Sequence, residues 1–116
     1  AICGLSMGGF HTLYISLNNP DMFGYSGMFS AAIGVSDASV SPIYQDFDQK
    51  LATYFSKKPS LLWVGCGDTD FLIQANRDFI KKLQDNNYPH EYLENDGGHI
   101  WRNWRIYLTE FVPKLF

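Results

Sequence analysis

Residues 4 to 8 read Gly4-Leu5-Ser6-Met7-Gly8, the pattern G-x-S-x-G. A serine in this setting can sit on a sharp strand-to-helix turn with its hydroxyl exposed. The chemistry on offer is nucleophilic attack on a carbonyl. A serine hydroxyl is a weak nucleophile at neutral pH, so it needs a base, and the base needs an acid to orient it. Five residues alone are weak evidence, and their surroundings decide. Residues 1–3 read as the end of a strand, and residues 6–18 set Phe10, Leu13, Tyr14 and Leu17 at helical spacing. The pattern thus ends a strand and opens a helix. Gly4 and Gly8 are expected to be glycines because a Cβ at either would crowd that junction. The Met7 backbone N–H is expected to point where an oxyanion would form.

The base must come from His11, His90 or His99. His11 lies five residues along the helix from Ser6, about 7.5 Å further down its axis, and cannot reach back. His90 begins the last strand, roughly 16 Å from the end that carries the serine. His99 follows the far end of that strand, in a Gly97-Gly98 loop, on the side where open α/β sheets bind ligands. Only His99 fits. The acid should leave the preceding strand at the same end, where "GCGDTDFL" offers Asp68 and Asp70. Asp70 is favoured because it follows enough loop to reach towards His99. Asp68 is suited to capping the turn, and Asp96 to shaping the Gly-Gly turn. No His/Asp/Glu cluster has metal-ligand spacing, so neither a metal nor a cofactor is expected.

The elements that must position these groups alternate. After the first strand and helix, Asn18-Asn19-Pro20 is a stop. Residues 24–30 read as a short strand and 31–42 as a loop. A helix is predicted over 43–56, with Ile43, Phe47, Leu51, Tyr54 and Phe55 on one face. The apolar run 61–65, "LLWVG", reads as a strand buried on both sides. A helix over 71–86 turns Leu72, Phe79, Ile80 and Leu83 inward. Residues 90–94 alternate like a strand nearer the sheet edge, and "NDGGH" is a loop. A last helix over about 101–112 spaces Trp104, Leu108, Phe111 and Leu115 for burial. This β-α-β-α-β-α-β-α order predicts an α/β fold, a parallel β-sheet with flanking helices.

With 116 residues and 46% apolar composition, one domain with one modest core is expected, not a disordered chain. The net charge of -3, with no basic block, gives no nucleic-acid footprint. No apolar run approaches the roughly 18 residues of a membrane span. Aromatics reach 16%, which fits core packing or a surface for sugars or phenols. Cys3 and Cys66 end strands on either side of the strand at 24–30, about 10 Å apart if sheet order follows chain order. That exceeds disulfide reach, so two free, mostly buried thiols are expected.

Four blocks, "GLSMGG", "NPDMFGYSGMFS", "GCGDTDFL" and "GGHIWRNWRIYLTEF", resemble in order the putative esterase family of α/β-hydrolases. That family includes feruloyl, acetyl xylan and enterochelin esterases, S-formylglutathione hydrolases and mycolyltransferases. The resemblance covers essentially the whole chain, and the Gly-Gly-His-x-Trp-x-x-Trp block is most similar to esterases that debranch xylan. It implies a serine carboxylester hydrolase acting on feruloyl or acetyl esters of plant polysaccharide. Acyl transfer, another ester of the family, or a non-catalytic carbohydrate-binding relative are its alternatives. It matches Ser6 to the nucleophile, Asp70 to the acid, His99 to the base and the Met7 N–H to one oxyanion donor. Leu5, Phe71, Ile100 and Trp101 lie close to these in sequence and are candidates to line the substrate site. Trp101 is balanced between that role and packing of the last helix, whereas Trp104 is assigned to packing. Family members place several strands and helices before the serine turn, and one of those loops supplies the second oxyanion donor. Residues 1–116 therefore resemble the C-terminal portion of a single α/β-hydrolase domain. Alone it is expected to be inactive or weak, with an open sheet edge that invites self-association. The partners implied are a small-molecule or polysaccharide ester, with no nucleic acid and no membrane. A secreted or periplasmic location follows only from the xylan-type resemblance.

Overall fold

The computed structural model describes residues 1–34 and 41–116. Four strands alternate with four helices: β1 (Ile2–Leu5), α1 (Met7–Asn18), β2 (Tyr25–Phe29), α2 (Phe47–Ser56), β3 (Leu61–Gly67), α3 (Ile73–Asp85), β4 (Glu91–Asn95) and α4 (Trp101–Phe111). The strands form one parallel sheet in the order β1-β2-β3-β4, so sheet order follows chain order. Parallel neighbours require a crossover, and α1, α2 and α3 supply the three, while α4 follows β4. All strands therefore end on the same side of the molecule. That side carries the turns after β1, β3 and β4.

The side-chain period of two divides the sheet between two cores. Met28, Leu62 and Val64 face Leu13 and Leu17 of α1, Leu51 and Tyr54 of α2, and Phe79, Ile80 and Leu83 of α3. Phe29 and Trp63 face Tyr107 and Phe111 of α4, in an aromatic cluster with ring centroids 5.5–6.3 Å apart. β3 is buried along nearly its whole length, as its unbroken apolar run requires. Among the described residues β4 pairs on one side only, and Glu91 and Glu94 are its exposed positions. β1 also has one unpaired edge among the described residues.

Several expectations need correction. Ile43 is not on α2: it lies in a separate 3-10 turn, Pro42–Tyr44, and is 44% exposed. Asp46, at a left-handed φ of 56°, breaks the helix between them. Leu108 is exposed, and the buried face of α4 is Asn103, Tyr107 and Phe111. Both cysteines are free, but only Cys66 is buried; Cys3 is exposed on the edge strand. Residues 35–40 of the expected 31–42 loop lie outside the described residues.

Gly4 is crowded at the junction as expected, whereas Gly8 is not. A Cβ on Gly4 would collide with the Gly8 carbonyl and lie 2.9 Å from Gly8 Cα. Gly8 itself has open space, and the crowded neighbour is Gly9, whose Cβ would lie 2.8 Å from that of Ala31. The strand end and the first helical turn thus pass almost in contact at Gly4. Backbone cannot yield as a flexible side chain can, so Gly4→Ala is expected to destabilise the fold by about 3 kcal/mol, at the upper end for overpacking. Urea unfolding of the two proteins measures it, with the midpoint shifted and the slope unchanged.

Candidate active site

Ser6 occupies the single residue between β1 and α1. Its backbone is held at φ 53° and ψ −117°, a left-handed region that costs a non-glycine residue energy. Four hydrogen bonds enforce it. The Ser6 N–H donates to the Phe29 carbonyl at 2.8 Å. The Ser6 carbonyl accepts from Ala32 N–H at 3.0 Å and from the Gly9 and Phe10 N–H groups of the first helical turn. The end of β2 and the start of α1 therefore clamp the turn from both sides. Met7 opens α1, and its backbone N–H belongs to the first turn, whose amides lack partners within the helix. The partial positive charge of the helix N-terminus adds to that donor.

His99 lies in the loop between β4 and α4. Its Nε2 is 2.9 Å from Ser6 Oγ, and its Nδ1 is 2.9 Å from Asp70 Oδ2. The first contact joins residues 93 positions apart. Asp70 sits in the turn after β3 with its side chain fully buried, while the His99 side chain is 20% exposed. The Leu72 N–H donates to Asp70 Oδ1 at 2.9 Å, which leaves Oδ2 for the imidazole. A buried carboxylate with both oxygens bonded in this way is fixed in orientation. The assignments for the other histidines agree: His90 Nδ1 lies 2.8 Å from the Tyr88 carbonyl ahead of β4, and His11 is exposed on α1.

The His99 loop is built on a buried amide that sequence reasoning did not single out. Asn103, wholly buried, donates from Nδ2 to the Asp96 and Gly98 carbonyls at 3.2 and 3.1 Å. Its Oδ1 accepts from Asn95 Nδ2, and Tyr107 donates to Asn95 Oδ1. The loop packs so close to β3 that a Cβ on Gly67 would overlap the Gly97 carbonyl, and Gly97 adopts φ 102°. Both positions therefore require glycine. Asp68 Oδ1 accepts from the Gly97 N–H, the turn-fixing part expected of it. Asp96 lends its carbonyl to Arg102 and Asn103, while its carboxylate faces Arg102 at 3.5 Å.

Aromatic rings surround the imidazole. The Phe71 ring is tilted against it at 4.8 Å, and Trp104 stands edge-to-face at 5.0 Å. Trp101 meets Trp104 at 5.0 Å. Phe71 is 77% and Trp101 61% exposed, and Ile100 is also exposed, so these three lie open beside His99. Leu5 instead packs half-buried against the α4 cluster. Trp104 joins that cluster as expected, but it also touches His99, a contact that helical spacing alone does not reveal. Close behind the site, Cys66 is buried, and burial together with the Asp70 and Glu94 charges pushes its thiol up to about 12. It stays protonated and inert at neutral pH. Among the described residues, no group of three or more His, Cys, Asp or Glu side chains is placed to hold a metal ion. No described helix is long and apolar enough to cross a membrane.

A partly exposed hydroxyl, an imidazole and a buried carboxylate in line, beside a helix N-terminus, can deprotonate the hydroxyl and stabilise the imidazolium that results. Known proteins carry similar chains. The family model described as "Putative esterase" matches residues 1–115. An endo-1,4-beta-xylanase/feruloyl esterase of Xylanibacter ruminicola is 30% identical over 117 residues, covering all of this chain and 14% of that protein. An acetyl esterase of Caldicellulosiruptor saccharolyticus is 28% identical, covering 93% of this chain and 51% of that one. A solved ferulic acid esterase superposes with a TM-score of 0.75 at 27% identity, covering 97% of this chain and 49% of the other. The chain spans about half the length of the last two.

Proposed function

Given that this chain belongs to the esterase family and resembles its feruloyl and acetyl esterases, we propose that it carries the serine, histidine and acid of a carboxylester hydrolase. The observation that carries this reading is the continuous line of two 2.9 Å contacts, Ser6 Oγ to His99 Nε2 and His99 Nδ1 to Asp70 Oδ2. Ser6 Oγ attacks the ester carbonyl carbon while His99 Nε2 takes the hydroxyl proton. Asp70 holds Nδ1 protonated and stabilises the imidazolium. The Met7 N–H, at the α1 N-terminus, donates to the developing oxyanion. His99 then passes its proton to the leaving alcohol, and the acyl group remains on Ser6. Water, deprotonated by His99, releases the acid and restores the serine.

The proposed substrates are feruloyl or acetyl esters of plant polysaccharide. Support comes from the exposed Phe71, Ile100 and Trp101 beside His99, flat apolar surface that suits a sugar or phenolic ring. The two relatives, a xylanase/feruloyl esterase and an acetyl esterase, point the same way. The test offers methyl ferulate, acetylated xylan and S-formylglutathione to the protein. Turnover of either of the first two, above the third, is the expected result. Binding of xylan oligosaccharides with no turnover of any ester would instead make it a non-catalytic carbohydrate binder.

A further inference from the structure

The imidazole of His99 is hydrogen-bonded by Ser6 and Asp70 and flanked by two aromatic rings, Phe71 and Trp104. Trp104 stands edge-to-face on the ring, its centroid 5.0 Å away and its plane at 86°. Trp104 is itself tethered: its Nε1–H donates to Ser30 Oγ at 3.0 Å. Ser30 is completely buried at the end of β2, and its N–H donates to the Gly65 carbonyl at 2.8 Å. Its φ is 47°, where glycine would be cheaper. A side chain kept at such a position needs a reason, and the hydroxyl that anchors Trp104 supplies one. Phe71 touches His99 too, but it is 77% exposed and has no comparable tether.

We propose that Trp104, tied to Ser30, is a positioning residue that keeps the His99 imidazole in place during deacylation, when Ser6 can no longer hold it. The proposal rests on the reading of Ser6 as the nucleophile. In the free protein the ring is fixed at both nitrogens, by Ser6 and by Asp70. Once Ser6 Oγ is esterified it has no proton to donate, and the Nε2 contact is lost. Of its two hydrogen bonds only that from Nδ1 to Asp70 then remains, and a single hydrogen bond tolerates tilting of the ring. Deacylation needs Nε2 aimed at water. It takes a water proton as the water oxygen bonds to the acyl carbon, the Ser6 Oγ–acyl bond breaks, and the proton returns to Oγ. A rigid indole against the ring limits that tilting. The acylation step, with both nitrogens held, needs it less.

The kinetics of p-nitrophenyl acetate hydrolysis by Trp104→Phe and Ser30→Gly test this. Phenylalanine keeps an aromatic ring but loses the N–H, and glycine removes the hydroxyl while relieving the positive φ, so Ser30→Gly is not expected to impair folding. Both variants should lower kcat about tenfold and KM in step, leaving kcat/KM within about twofold. Quenched samples should hold more acetyl-Ser6 at steady state than wild type. A merely structural loss would lower kcat and kcat/KM together, and that result, or unchanged kcat in both variants, would overturn the proposal. The signature in Trp104→Phe alone would refute the Ser30 tether. Failure of the underlying reading looks different: full turnover by Ser6→Ala.

Discussion

Replacing Ser6 by alanine should lower ester turnover by roughly 10⁵- to 10⁶-fold, the size of effect seen when a serine nucleophile is removed. The substitution deletes one oxygen and little else. Ser6 is partly exposed, its side chain bonds only His99 among the described residues, and the clamp on the turn runs through its backbone N–H and carbonyl. Alanine has the same difficulty at φ 53° as serine, so the fold should persist with nearly the same unfolding midpoint. Initial rates on methyl ferulate or p-nitrophenyl acetate, together with a urea melt, separate loss of chemistry from loss of structure. What activity remains would come from binding and the Met7 N–H donor.

Asp70→Asn should cost about 10⁴-fold in kcat with KM little changed. The reason lies in the Leu72 N–H, which donates to Asp70 Oδ1 at 2.9 Å. An asparagine would keep its carbonyl oxygen on that donor, which turns its NH₂ towards His99 Nδ1. Nδ1 would then have to accept, so the proton moves to Nε2. An imidazole protonated at Nε2 donates to Ser6 Oγ and cannot take its proton. The geometry survives while the tautomer is wrong. Asp68→Asn, on the exposed side of the same turn, should leave kcat within about threefold, since its carboxylate bonds the Gly97 amide and not the base. Comparable losses in the two variants would contradict the choice of Asp70.

Much of this arrangement was legible in the chain. The alternation of apolar runs and helical spacing is a local property, and it recovered four strands, four helices and their parallel order. His99 emerged by elimination, because the direction of each strand decides which histidine lies at the serine's end of the sheet. The misses share a cause: each depends on contacts between segments distant in sequence. Spacing could not show that Gly9, not Gly8, meets Ala31, or that Leu108 turns outward while Tyr107 turns in. It could not show Asn103 bridging two loop carbonyls, although an amide on an otherwise apolar helical face is a usable signal for such a role. Ser30 and Trp104 are 74 positions apart, and nothing local links them. Cys3 is exposed on β1, which pairs with one strand only among the described residues, and its own sequence neighbours do not show that.

The central claim is that Ser6, and no other residue, becomes covalently bonded during the reaction. A fluorophosphonate forms a stable bond to an activated serine, releasing fluoride, and the adduct survives digestion. Intact mass after treatment should show one phosphonyl group, and peptide mapping should place it on Ser6. Labelling should vanish in Ser6→Ala and slow sharply in Asp70→Asn. A label that persists in Ser6→Ala, or one that maps to a different serine, would contradict the account.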